Sequence, residues 1–231
     1  WCRDKAVRKF EDTLMSNLIL ILGQSGTGKS TSIRNMDSKD TFIIQAVNKP
    51  LPFKGFKKNY PIIDKDGKGK RLVSDNYDKI ISCLKYLNNN KDIKNIIIDD
   101  FQYVISNEFM VRAKEKGFDK FTEMAQHYYM IIDVASRLRE DLNIFFLSHN
   151  EQKEDGTSKV KTIGKLLDEK ITIEGLFTIV LNTVIQDNKY YFQTQNNGFN
   201  TTKSPLGMFD EQLIENDLKL VTEKINEYYG G

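Results

Sequence analysis

The chain has 231 residues, with 34 lysines and arginines against 32 aspartates and glutamates, a formal charge of +2, and 39% hydrophobic residues. That length holds one α/β domain with a substantial core but not two of ordinary size. The near-neutral balance confines any nucleic-acid contact to local basic patches, and no apolar run reaches the length of a membrane span. Two cysteines, Cys2 and Cys83, are too few and too far apart for a disulfide framework or a zinc site, which suits a reducing cytoplasm.

Residues 1–14 carry the only Trp and precede Met15-Ser16-Asn17, so they read as a leader or arm outside a single domain over 15–231. The apolar run Leu18–Leu22 then feeds GQSGTGKS, a complete G-x-x-x-x-G-K-[ST] loop at Gly23–Ser30. Glycines 23, 26 and 28 let the backbone turn its N–H groups around a phosphate, and a helix over Lys29–Met36 adds the positive end of its dipole. The nucleotide-binding candidates are therefore Gly23, Gln24, Ser25, Gly26, Thr27, Gly28, Lys29, Ser30 and Thr31. Lys29 is directed at the β- and γ-phosphates of ATP, and the Ser30 hydroxyl at Mg²⁺.

Thr41–Val47 reads as a buried second strand closed by Asn48-Lys49-Pro50. The stretch 54–71 has seven basic and two acidic residues around the turn Asp64–Gly69, with Phe53, Phe56 and Tyr60 beside it. It reads as a basic β-hairpin in which Lys65, Lys68, Lys70 and Arg71 are candidates for a nucleic-acid backbone, a solvated edge being the alternative. Ser74 or Asp75 is placed to cap a helix with Tyr77, Ile80, Ile81, Leu84 and Leu87 on its apolar face. Asn95–Asp100 is an apolar strand ending in two carboxylates, the Walker B pattern. Asp99 is positioned for the metal at Ser30 and Asp100 for the attacking water.

A long amphipathic helix is expected over Phe118–Glu140, with His127 beside its apolar face in a structural role. Asn143–Leu147 is a further buried strand ending in Ser148-His149-Asn150-Glu151, whose His149 and Glu151 are the candidate γ-phosphate sensors. Residues 151–162 read as a hairpin or loop. Phe177–Gln186 and Lys189–Gln195, joined by Asp187-Asn188, read as an antiparallel hairpin at a sheet edge. An irregular loop over 196–209 and a helix over Asp210–Tyr228 complete the chain.

Together the loop Gly23–Ser30, IIIDDFQY at Ile96–Tyr103, FFLSHNE at Phe145–Glu151 and TTKSPLGMF at Thr201–Phe209 resemble the RecA-like ATPases of phages and prophages associated with single-strand annealing recombination. The resemblance covers about residues 15–228. It implies an α/β RecA-like P-loop NTPase fold, with a mostly parallel central sheet flanked by helices and an antiparallel C-terminal edge hairpin. It further implies hydrolysis of ATP with Mg²⁺ coupled to single-stranded DNA, a homo-oligomeric ring or filament, a single-strand binding protein as a further partner, no membrane partner, and a bacterial host cytoplasm. Asp100 stands where many relatives in the wider P-loop class carry a glutamate, which leaves the general base open between Asp100 and Glu151. In such oligomers a neighbouring subunit supplies a cation. Lys203 in the proline-restrained loop is the candidate for that role in trans, with Arg137 and Arg139 as substitutes and a solvated loop lysine as the alternative.

A small-molecule or nucleotide kinase would also have a P-loop, but it needs an arginine-rich lid, and this chain has seven arginines with none after Arg139. An AAA+ remodeller needs a helical domain after the sheet, where this sequence offers a hairpin and one helix. A scaffold that binds nucleotide without hydrolysis is disfavoured by the intact Asp99-Asp100 pair.

Overall fold

The computed structural model describes residues 15–164 and 166–230, and the leader 1–14 lies outside them. In chain order the strands and α-helices are β1 (Asn17–Leu22), β2 (Thr41–Gln45), α1 (Phe56–Asn59), β3 (Arg71–Val73), α2 (Tyr77–Asn89), β4 (Asn95–Asp99), α3 (Gln102–Val111) and α4 (Asp119–Ser136). They continue with β5 (Asn143–Ser148), β6 (Asn150–Gln152), β7 (Ser158–Val160), β8 (Ile179–Gln186), β9 (Lys189–Gln193), β10 (Leu213–Glu215) and α5 (Leu218–Tyr229).

Eight strands form one sheet in the order β10-β9-β8-β1-β5-β4-β2-β3. From β8 to β3 every pairing is parallel, whereas β9 and β10 are antiparallel. Central parallel strands are covered on both faces, so each must be apolar throughout. Alternate residues accordingly face opposite cores. Leu20, Ile44, Ile98 and Phe146 join α2, α3 and α4 on one side. Ile21, Ile43, Ile97 and Phe145 meet Ile33 and the α5 stripe Leu218, Val221 and Ile225 on the other. This is the mostly parallel, edge-hairpinned α/β sheet expected from the sequence. β5 lies between β1 and β4, so the tips of the phosphate-loop strand, the sensor strand and the acidic strand stand side by side at one edge.

Several boundaries differ from expectation, each for a local reason. Asn76 caps α2 in place of Ser74 or Asp75, its side chain accepting from Lys79 N, while Ser74 Oγ accepts from Asn76 N. The basic stretch is not a two-stranded hairpin: Asp64 and Lys68 close a tight turn, and the chain then joins β2 as the parallel edge strand β3. Arg71 is buried there, donating to Gln45 Oε1 at 2.6 Å and Tyr60 O at 3.2 Å, so it faces the sheet and not a nucleic acid. The phosphate loop leads into a 3₁₀ helix, Ser30–Asn35, shorter than the expected Lys29–Met36. The expected C-terminal helix over Asp210–Tyr228 divides into β10 and α5, because Asp217 caps the helix by accepting from Lys219 N. β8 pairs with β1 in parallel, so the antiparallel part of the sheet begins only at β9.

Candidate functional site

The phosphate loop is set by a close approach that only glycine allows. A Cβ on Gly23 would lie 1.7 Å from Thr183 Oγ1 on β8, and that hydroxyl also meets Thr27 Oγ1 at 2.6 Å and donates to Leu22 O at 3.1 Å. Gly26 and Gly28 adopt φ of +80° and +96°, the left-handed region that a Cβ disfavours. Lys29 is buried and folds back, donating to Gly23 O at 2.7 Å and Gln24 O at 2.8 Å. Burial lowers its pKa to about 8 against the opposing pull of Asp100 and Asp99.

Ser30 Oγ donates to Asp99 Oδ1 at 2.8 Å, joining the loop to the end of β4. Burial and then the neighbouring Asp100 push the Asp99 carboxyl above its ordinary range, while Ser30 and Lys49 oppose that shift. Its other oxygen, Oδ2, is buried without a hydrogen bond. A hydroxyl and an under-satisfied carboxylate at one point are hard oxygen donors, and Ser30 and Asp99 would hold Mg²⁺.

Asp100 follows in a left-handed bend, φ +59°, which turns its carboxylate out of the strand. There it pairs with Lys49 Nζ at 2.5 Å. Burial works against the Lys49 charge, but Asp100 and then Asp99 outweigh it and raise the ammonium above its usual range. His149, at the tip of β5, donates its backbone N–H to Gln102 Oε1 at 2.8 Å and sets its ring edge-on to Tyr103. Burial first, then Lys29, hold its imidazole near a pKa of about 4, so it is neutral at pH 7. Ser25, Gly26, Gly28, Lys29, Ser30, Thr31, Lys49, Asp100, His149 and Tyr190 line a single cleft of about 450 Å³. A glycine-rich loop with two left-handed residues, a buried lysine and a hydroxyl–carboxylate pair bring together the chemistry that a nucleoside triphosphate and its metal would need.

The sequence matches the AAA domain family over residues 15–206, most of the chain. The chain belongs to this AAA domain family. No curated protein matches it. The KaiC-like protein of the hyperthermophilic archaeon Pyrococcus horikoshii OT3 is similar at a TM-score of 0.45 and 11% identity, covering 78% of each chain. The AAA domain is a P-loop ATPase domain, and its sheet is RecA-like in arrangement.

Not every candidate residue of the AAA domain lies in the cleft. Glu151 sits on β6 opposite Lys159 of β7, with 3.5 Å between its Oε1 and Lys159 Nζ. It belongs to the small hairpin after β5, and Asp100 is the carboxylate that lines the cleft. Lys203 is exposed and its backbone pairs with Val180. Val180 in turn pairs with Leu20, below the loop in this subunit. Burial lowers the Lys203 pKa, with Glu174 opposing. Arg139 is buried, donating to Leu87 O, Asn88 O and Ile93 O, which makes it a staple beneath α2 and unsuited to reach another subunit. Arg137 is exposed and bound to Asp133 at 2.7 Å. Lys65 and Lys68 are exposed on the turn, whereas Lys70 Nζ donates to Lys39 O at 2.7 Å. His127 accepts or donates at Glu108 and stacks on Tyr77 with centroids 3.7 Å apart, a structural role.

Lys49 and Tyr190 join the site without being among the residues the sequence singles out. Lys49 has a readable signal, since it follows the carboxyl end of a parallel strand, where open α/β sheets place ligand contacts. Tyr190 has none, because its position depends on a hairpin folding back across more than 150 residues.

Proposed function

We propose that this AAA domain hydrolyses ATP in a Mg²⁺-dependent manner and couples turnover to single-stranded DNA, as a homo-oligomeric motor or switch in recombination of the phage type. The observation that carries the reading is the meeting of Lys29, the Ser30–Asp99 pair and Asp100 in one cleft. Mg²⁺, held through Ser30 and Asp99, would neutralise charge on the phosphates. Lys29 leaves the carbonyls of Gly23 and Gln24 to bind the β- and γ-phosphates, where its charge counts most as charge develops in the transition state. Asp100 orients the attacking water and accepts its proton. Neutral His149 offers that water a hydrogen bond without adding a competing positive charge. Lys49, paired with Asp100, would shift to the γ-phosphate and uncover the carboxylate. The DNA coupling rests on the resemblance of the four motifs to the phage ATPases and on the exposed Lys65 and Lys68.

Phosphate release measured with and without a single-stranded oligonucleotide tests both parts. Turnover should need Mg²⁺, rise with DNA and vanish in Lys29→Ala. Asp99→Asn should weaken metal-dependent binding, whereas Asp100→Asn should spare binding and abolish turnover. Undiminished turnover in Lys29→Ala would sink the ATPase reading, and turnover indifferent to DNA would sink the coupling.

A further inference from the structure

Next to the phosphate cleft lies a second groove of about 570 Å³, whose walls include Thr31 and Arg34 on one side and Tyr190 and Asn216 on the other. Thr31 and Tyr190 line both, so the two form one continuous trough. Asn216 is only 2% exposed, yet neither Oδ1 nor Nδ2 has a hydrogen-bond partner. A buried amide left unpaired is costly and calls for a partner that the chain itself does not supply.

The backbone of Asn216 is held in place from two sides. Its N–H donates to Tyr190 O at 3.3 Å. Its carbonyl accepts from Arg34 Nη1 at 2.5 Å, and the same guanidinium pairs with Glu215 at 2.8 Å. The side chain abuts the phosphate loop, because a Cβ on Gly28 would lie 3.1 Å from Asn216 Oδ1 and 3.0 Å from Tyr190 Cδ1. Tyr190 is 46% exposed and so keeps ring surface available for stacking.

We propose that this groove binds the nucleoside half of the nucleotide, with the purine base against Tyr190 and its donor–acceptor edge on the amide of Asn216. A side-chain amide offers one acceptor and two donors in a plane, which matches the adjacent donor and acceptor of an adenine edge. The triphosphate then runs past Thr31 into the loop. This assignment rests on the ATP reading above and adds to it the residues that recognise the base.

The test compares Mg²⁺-ATP with inorganic tripolyphosphate by titration calorimetry on the full chain. Asn216→Leu should weaken ATP binding roughly tenfold and leave tripolyphosphate binding unchanged, because only the base loses its partner. Tyr190→Ala should likewise weaken ATP binding, and Tyr190→Phe should retain affinity. Unchanged tripolyphosphate binding in Asn216→Leu also reports that this variant has folded. ATP affinity unaltered in Asn216→Leu would overturn the assignment, as would an equal loss of both ligands, which would place Asn216 in support of Gly28. Failure of both ligands to bind the unaltered protein would instead overturn the nucleotide reading itself.

Discussion

At the scale of single residues, the phosphate loop is constrained by contact as much as by conformation. Gly23→Ala would push a methyl into Thr183, whose hydroxyl already serves Thr27 and Leu22. Overpacking of this kind costs roughly 1–3 kcal/mol. We expect lower thermal stability and lost ATP affinity, with part of both restored by Thr183→Ala in the double variant; no restoration would show that the glycine is needed for its backbone alone. His149 gives a second prediction, with a sign set first by burial and then by Lys29, Lys49 and Lys161 against Asp100. Its folded pKa, about 4, lies below the ordinary 6.5, so the unfolded chain takes up the proton first and stability is lost as pH falls from 6.5 toward 4. His149→Gln should flatten that part of the stability curve. A bound triphosphate brings negative charge and should raise the pKa, which NMR can follow because the chain has only two histidines. An imidazole that titrates identically with and without nucleotide would remove His149 from the site. The pattern G-x-x-x-x-G-K-[ST] makes Lys29 and Ser30 legible in the sequence alone, since its chemistry is local. Asn216 is not legible there, because an asparagine between a strand and a helix carries no mark until the fold brings it against Gly28.

At the scale of elements, two turns carry separate predictions. Asp187 and Asn188 have φ of +51° and +59°, so the β8–β9 connection is a type I′ turn, in keeping with its two-residue spacing. Asn188→Val puts a β-branched side chain in the left-handed region and should cost roughly 1–2 kcal/mol. Asn188→Gly should be neutral or slightly stabilising, both by urea unfolding; equal stability of all three proteins would contradict the turn assignment. The turn at 64–68 is different, because its side chains face solvent. If Lys65 and Lys68 each meet a phosphate, replacing both with alanine should lower the log–log salt slope for single-stranded DNA by about 1.4. An unchanged slope with intact binding would move the DNA surface elsewhere. Strands are readable from β-branched apolar runs, and α4 from its three-and-four spacing. Short pieces are not. β3 and β10 are three residues each, too brief for a period to register. α3 escapes the sequence pattern because Gln102, Val104 and Ile105 are buried on a helix with little amphipathic contrast along the rest of its length.

For the whole molecule, two lysines stand as the cation that completes the cleft, one within the subunit and one able to act from a neighbour. Lys49 already supplies a cation in cis, while Lys203 stands on the edge beyond β8. Mixing Lys203→Ala with Lys29→Ala protein decides between them. Recovered hydrolysis in the mixture requires a residue acting in trans. Full activity of Lys203→Ala alone would assign the cation to Lys49. The sheet order is legible only in outline, because which strand lies beside which is fixed by long-range packing. That order also governs when the site can exist during synthesis. β1 finds its partners only at Asn143–Ser148 and Ile179–Asn182, and the loop it carries lies against Thr183, Tyr190 and Asn216. Within the domain, the nucleotide loop is made well ahead of the walls that hold it. A growing chain therefore carries an unpaired apolar strand through most of the domain's translation, and ATP can help to secure the fold only after nearly the whole domain has been made.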